Sequence, residues 1–174
     1  MQTRLEELLY DRDWLLADGA TGTNLFQAGL QSGDSPELWN ALFPNKITAL
    51  YQSAVDSGSD IFLTNTFGCN ASRLKLHNAE NRVFELNKLS ASLACEVAAK
   101  ANRPVVVAGS VGPTGEIFQP IGELGHEMAV EMFHEQAEGL KDGGVDVLWV
   151  ETISAAEEFK AAACAFNLAN MPWC

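Results

Sequence analysis

Four short apolar runs punctuate the chain, each ending in polar or glycine residues. Trp14–Ala17 ends at Asp18, Ile61–Thr64 at Asn65, Pro104–Ala108 at Gly109-Ser110, and Val145–Val150 at Glu151-Thr152. Near-continuous runs of this length, rich in β-branched residues, predict strands buried on both faces of a parallel sheet. Between them apolar residues recur at helical spacing. Ile47, Leu50, Tyr51, Ala54 and Val55 share one face; Val83, Leu86, Leu89, Leu93 and Val97 share another. Met128, Met132, Phe133 and Leu140 mark a third helix, with Gly139 near its end. Ser154 with Glu157 three residues on reads as a capping box, and Phe159, Ala163 and Phe166 as the stripe of the helix it opens. A short helix over Arg4–Leu9 precedes these units, and Met171–Cys174 reads as the approach to a fifth strand.

Strand and helix in alternation imply a parallel α/β sheet. Two architectures compete. A doubly wound sheet carries helices on both faces and reverses its strand order. A (β/α)₈ barrel keeps sequential order, with its helices outside and its chemistry at the C-terminal strand ends. Gly19 and Gly22 follow the first run, but no G-x-G-x-x-G opens a helix there, so the dinucleotide fingerprint is missing. Polar and glycine residues close every run instead, which favours the barrel.

Composition narrows the function classes. The chain has 174 residues, 47% hydrophobic and 20% charged, with net charge −12. That is one domain with a core, and a poor match to nucleic acid or an anionic membrane surface. No run approaches the roughly 20 apolar residues of a membrane span. Met1–Asp13, with Glu6, Glu7, Asp11 and Asp13, does not read as a secretory signal. Cys69, Cys95, Cys164 and Cys174 lack C-x-x-C spacing and read as reduced thiols of a cytoplasmic protein.

Each strand end has two readings. Asp18-Gly19-Ala20-Thr21-Gly22-Thr23 is a site edge where backbone approaches a ligand, or a turn capped by an Asp. Thr64-Asn65-Thr66-Phe67-Gly68 offers hydroxyls and an amide to a ligand, or satisfies its own backbone. Gly109-Ser110-Val111-Gly112-Pro113-Thr114-Gly115 is a shaped ligand loop or a tight structural turn. Glu151-Thr152 puts a carboxylate at the edge of a buried sheet, where it needs a partner. Asp18 and Glu151 at one rim would together hold an ammonium group; otherwise Glu151 pairs with a nearby Lys or Arg. His77, His126 and His134 lack ligand spacing and belong on surfaces. Cys95 and Cys164 read as small core residues. Cys69 alone is placed to be reactive, with a buried structural role as the alternative.

Taken together, Asp18–Thr23, Thr64–Phe67, Gly109–Pro113 and Val150-Glu151-Thr152 resemble the homocysteine S-methyltransferase family. That family includes betaine–homocysteine methyltransferases, S-methylmethionine-using enzymes and the homocysteine domain of cobalamin-dependent methionine synthase. Each motif is weak alone; four in order, each at a strand end, are specific. The resemblance covers nearly all of the chain and about half of the family domain. It implies a (β/α)₈ barrel of which residues 1–174 form the N-terminal portion, about the first four βα units. It also implies homocysteine bound at the C-terminal rim, its sulfur on zinc, attacking an onium-type methyl donor to give methionine. Asp18 and Glu151 would hold the homocysteine amino group. Gly19, Thr21, Gly22, Thr64, Asn65, Thr66, Phe67, Gly109, Ser110, Gly112 and Thr152 would line the pocket.

The sequence departs from the family pattern at the metal. The family's three cysteine ligands, one after strand six and a Cys-Cys pair after strand eight, have no counterpart here. A half barrel would also leave its inner sheet face bare and its edge strands unpaired. A truncated chain that dimerises is therefore expected. Two other functions stay open: a non-catalytic half-barrel for binding or assembly, and a different barrel enzyme such as a lyase or a phosphate-sugar enzyme.

Overall fold

The computed structural model describes residues 3–174; Met1 and Gln2 of the opening stretch lie outside the described residues. Helix α1 (Arg4–Asp11) begins with a capping box that sequence reading did not identify. Thr3 Oγ1 accepts from the Glu6 N–H, and the Glu6 carboxylate accepts from the Thr3 N–H at 2.7 Å. Next come α2 (Thr21–Gln27), a 3₁₀ turn at Pro36–Leu38, α3 (Trp39–Leu42) and α4 (Pro44–Asp56), whose proline occupies the first turn where no N–H is needed. Strand β1 (Ile61–Leu63) is followed by α5 (Ala71–Lys75) and α6 (Val83–Lys100). Strand β2 (Val106–Val111), α7 (His126–Gly143), β3 (Val147–Val150) and α8 (Ala156–Leu168) complete the order.

The sheet is parallel and sequential, β1-β2-β3, with Ile61 opposite Val106 and Ala108 opposite Val147. Chain segments extend it on both sides. Ala17 bridges Ile61 and Trp173 bridges Leu148, both in parallel sense. The expected first strand, Trp14–Ala17, is therefore reduced to one bridge, supported by the Ile61 N–H on Leu16 O and the Asp18 N–H on Ile61 O. The segment read as the approach to a fifth strand is likewise one bridge: Leu148 donates to Pro172 O, and Cys174 donates to Leu148 O. Gly109 and Ser110 lie inside β2, not after it, because pairing with Leu148 and Trp149 carries that strand through to Val111.

Strand residues alternate between two cores, as the pleat requires. Phe62, Val107, Val111 and Leu148 face α4, α6, α7 and α8 in the larger core. Ile61, Val106, Ala108 and Val147 face the other way and meet Leu5 and Leu8 of α1. The inner sheet face is thus partly covered by α1, where sequence reading left it bare.

The helices pack through small residues. Ala91 and Ala94 on α6, Ala129 and Ala137 on α7, and Ala161, Ala162 and Ala165 on α8 are buried. The larger residues assigned to the stripes lie partly outside: Leu89, Met128 and Phe159 are exposed. A Cβ on Gly139 would sit 2.7 Å from Phe84 O and 2.9 Å from Asn87 Cβ, so this glycine sets how closely α6 and α7 approach. Ser154 does not cap α8. The N-cap is Ala155, one residue later, and the residue three beyond it, Glu158, turns its carboxylate to the Thr114 N–H and hydroxyl at 2.8 and 2.6 Å. Cys164 is exposed on α8 and is not a core residue. Among the described residues no helix is long and apolar enough to cross a membrane.

Gly139→Val should force α6 and α7 apart and cost about 2–3 kcal/mol of stability, the range for overpacking a tight contact. Urea unfolding monitored by circular dichroism measures it; an unchanged midpoint would mean that the helix interface yields freely.

Candidate functional site

At the C-terminal ends of the strands lies a cavity of about 510 Å³. Asp18, Gly19, Thr21, Gly22, Thr64, Asn65, Phe67, Ser110 and Glu151, all sequence candidates, line it. The parallel sheet brings them together because its strands end at one rim. Gly19 and Gly22 have no atom within 4 Å of a built Cβ, so they leave the cavity mouth open.

Four other candidates do not line the cavity. Gly109 faces α7, where a Cβ would come 2.9 Å from Leu140 Cδ1. Gly112 backs onto Phe67, where a Cβ would come 2.6 Å from Phe67 Cε2, and its N–H donates to Phe67 O at 3.0 Å. Thr66 is fully buried and donates to Ser110 O at 2.7 Å. Thr152 is exposed with φ 62° and does not line the cavity. Of the 109–115 loop, only Ser110 reaches the cavity. These residues shape it rather than line it, because strand parity and loop packing turn them away.

The rim is hydrogen-bonded throughout. Ser110 Oγ donates to Glu151 Oε1 at 2.6 Å, and the Asp18 carboxylate accepts from the Leu63 N–H at 3.1 Å. The Asn65 N–H donates to Tyr51 Oη at 2.7 Å and to Ser90 Oγ at 3.1 Å, while its amide donates to Pro36 O and Asn40 Oδ1. Burial raises the Asp18 carboxyl to about 6; the Leu63 N–H opposes the rise and the Glu151 charge adds to it.

Sequence reading missed Glu37, Trp149 and Leu25, which also line the cavity. Glu37 is buried, accepting from Ser35 Oγ at 2.7 Å and from the Gly68 N–H at 2.8 Å. Its sequence context, Ser35-Pro36-Glu37, is an ordinary helix-start signal that says nothing of a cavity. Trp149 was read only as part of a strand, although period-two alternation puts it on the same face as Ser110.

A homocysteine S-methyltransferase family profile matches residues 15–174. The chain belongs to that family. Methionine synthase of Mycobacterium tuberculosis (strain ATCC 25618 / H37Rv) is 31% identical over 92% of this chain, and methionine synthase of Mycobacterium leprae (strain TN) is 31% identical over 85%. The chain spans only 15% and 13% of the length of those two relatives. The oxidised form of the homocysteine methyltransferase MmuM from Escherichia coli superposes with a TM-score of 0.81 at 25% identity, over 97% of this chain and 63% of that one. The metallated form of the same protein, 24% identical with a TM-score of 0.80, supports the fold alone.

The zinc that the family resemblance implies does not fit the cysteines of this chain. Cys69 is fully buried, and burial, with the Glu37 charge adding, pushes its thiol well above the usual range. It does not line the cavity. Burial pushes the Cys95 thiol, on α6, up to about 11. Cys164 sits on the exposed side of α8, and Cys174 on the edge segment beside Leu148. Among the described residues no three His, Cys, Asp or Glu side chains are grouped to hold a metal ion.

The raised Asp18 carboxyl makes a prediction about stability. The folded chain holds this proton up to about pH 6, whereas the unfolded chain releases it near 3.8, so stability falls as pH rises between the two. Asp18→Asn should remove that loss, gaining about 1–2 kcal/mol at neutral pH and nothing near pH 4. Denaturant midpoints at the two pH values read it directly; equal gains at both would mean the carboxylate is not strained by burial.

Proposed function

We propose that this chain binds homocysteine at the strand-end cavity, as the substrate half of a homocysteine S-methyltransferase that uses an onium-type methyl donor. The observation that carries the reading is the pairing of Asp18 and Glu151 across one cavity. Each is at the end of a different strand segment, and they are close enough for the Glu151 charge to oppose ionisation of Asp18. Among the described residues no Lys, Arg or His lines that cavity. Two carboxylates without a cation need a positive ligand group, and the homocysteine ammonium supplies one. Ser110 holds Glu151 in place through the 2.6 Å hydrogen bond, and Thr64 Oγ1 accepts from the Ser110 N–H at 3.1 Å behind it. Phe67 and Trp149 offer apolar surface to the carbon chain. The residues of this chain thus bind and orient the amino acid. The zinc that would favour the homocysteine thiolate has no ligand set among them, and no step is assigned to it here.

Sequential strands with α4, α6, α7 and α8 on one face support reading residues 1–174 as the N-terminal portion of a (β/α)₈ barrel. The absence of a fitting zinc set favours the substrate-binding half over a complete catalytic unit. A phosphate-sugar enzyme is disfavoured because the cavity offers no basic side chain to a phosphate. The segments at residues 14–17 and 171–174 each pair on one side, and Trp14 and Leu16 are exposed. Such edges favour self-association of this chain, and a homodimer is proposed. Sedimentation should give a dimer; a monomer across the micromolar range would overturn that part.

Calorimetric titration of homocysteine, with bound zinc quantified, tests the main reading. Binding should strengthen as pH rises through about 6, because Asp18 must ionise to hold an ammonium that stays protonated across this window. Asp18→Asn and Glu151→Gln should each weaken it by roughly tenfold or more. Absence of homocysteine heat would sink the reading, and stoichiometric zinc would overturn the assignment of the metal set to other residues.

A further inference from the structure

Away from the ligand cavity, a trough of about 550 Å³ lies between α5 and the first turns of α7. Met128 and Met132 are one helical step of four apart and so share one face of α7. With Ala71 and Leu124 they give the trough an apolar lining. Their spacing marked both methionines as core residues, yet the buried face of this helix carries Ala129, Phe133 and Gln136 instead. Met132 is only partly buried, its sulfur 3.6 Å from Ser72 Oγ on α5, and Met128 is 51% exposed. The loop that supplies Leu124 is folded on itself. The Gln119 N–H donates to Leu124 O at 3.0 Å, the Leu124 N–H to Ile117 O at 3.3 Å, and the Gly122 N–H to Phe118 O at 3.0 Å. That loop leaves Ile117 63% and Ile121 88% exposed. Apolar side chains scattered singly over a surface mean little, but these fall in one segment, 117–132, that walls one trough.

The charge on its rim is mostly negative. Glu80, from a 3₁₀ turn at Glu80–Arg82, and Glu116 and Glu123, from the loop after β2, stand there against Lys75. All four are exposed. Among the described residues none of the three carboxylates is in an ion pair. The cations nearest in sequence are engaged elsewhere. Arg82 pairs with Glu85 at 2.7 Å, and Arg73, the other cation of α5, lies beside Gly115 and does not line the trough.

Apolar lining and acidic rim together choose the occupant. The outer segments of the sheet are 14–17 and 171–174, and neither borders the trough, so a ligand cannot add to the sheet here. Recognition has to come from side chains: apolar ones that fit an adaptable methionine surface, and positive ones that answer the glutamates. An amphipathic helix with basic flanks carries both on one element. A second copy of this chain brings net charge −12, and an anionic membrane is negative too, so both meet the rim with like charge. We propose that this trough docks a basic amphipathic helix of a partner protein. The apolar residues of that helix lie against Met128, Met132 and Leu124, and its Lys or Arg residues face Glu80, Glu116 and Glu123. Because α5 follows β1 and the 112–125 loop follows β2, the docked partner sits at the same end of the sheet as the strand-end cavity.

The test uses a fluorescent peptide of about 18 leucine and lysine residues with the leucines on one helix face, and a scrambled peptide of the same composition. Anisotropy is read against the whole chain at roughly physiological ionic strength. The chain should bind the amphipathic peptide roughly tenfold tighter than the scrambled one. Met128→Ser should weaken that binding roughly fivefold or more, and so should Glu116→Gln combined with Glu123→Gln. Glu96→Gln combined with Glu157→Gln removes the same charge from exposed positions on α6 and α8, and should change it less than about twofold. Circular dichroism checks that each variant folds, and the surface glutamate pair decides the matter if Met128→Ser does not. Equal binding of the two peptides overturns the proposal, since charge alone then accounts for it. So does a loss in the Glu96 and Glu157 control as large as in the rim pair, or a folded Met128→Ser chain that binds undiminished. Two further outcomes replace the occupant and overturn it as well: a dimer in sedimentation that Met128→Ser dissociates, or binding to phosphatidylserine vesicles that Met128→Ser abolishes.

Discussion

The wall of the cavity depends on Asn65. Its backbone N–H is taken by Tyr51 Oη and Ser90 Oγ, which reach it from α4 and α6, and its side-chain amide reaches Pro36 O and Asn40 Oδ1. Asn40 in turn donates to Asn65 O and Leu86 O. One residue at the end of β1 thereby fixes two helices and the loop that carries Glu37. Buried polar groups of this kind are expensive to leave unpaired, so the network admits essentially one arrangement. The polar residues at this strand end are thus partly structural, and what they build is the cavity wall.

Charge is the second organising feature. Some carboxylates elsewhere on the chain find cations: Asp60 meets Arg12 at 2.6 Å, and Lys88 meets Asp142 at 2.6 Å. The cavity carboxylates do not. Glu151 is held by a serine hydroxyl and Asp18 by a peptide N–H, groups that orient a carboxylate without neutralising it. The site is therefore left with negative charge available to a ligand. Glu158 is more deeply buried; it spends its hydrogen bonds on Thr114 of the loop after β2 and lines no part of this cavity.

Three of the four strand positions and the strand-end motifs were legible in the sequence because buried parallel strands leave short apolar runs and polar residues gather where those strands end. The helix faces were less so. Helical spacing of Leu, Met and Phe pointed to stripes that are partly exposed, because α6, α7 and α8 meet through alanine and glycine, which carry little hydrophobic signal. The cap at Ser154 failed by one residue, as Glu158 was drawn off to Thr114. The cap at Thr3 went unread, although its Thr-x-x-Glu spacing is plain in the sequence.

By itself, the sequence determined the parallel α/β class, the family, and the Asp18 and Glu151 pair, since each rests on local pattern or on motifs in order. The tertiary structure alone decided that Gly109, Gly112, Thr66 and Thr152 stand behind or beside the cavity, and that Glu37 stands on it. Which way a residue faces depends on strand parity and on what packs against it. Those are set by contacts between segments far apart in the chain: Glu37 meets Gly68, and Gly109 meets Leu140.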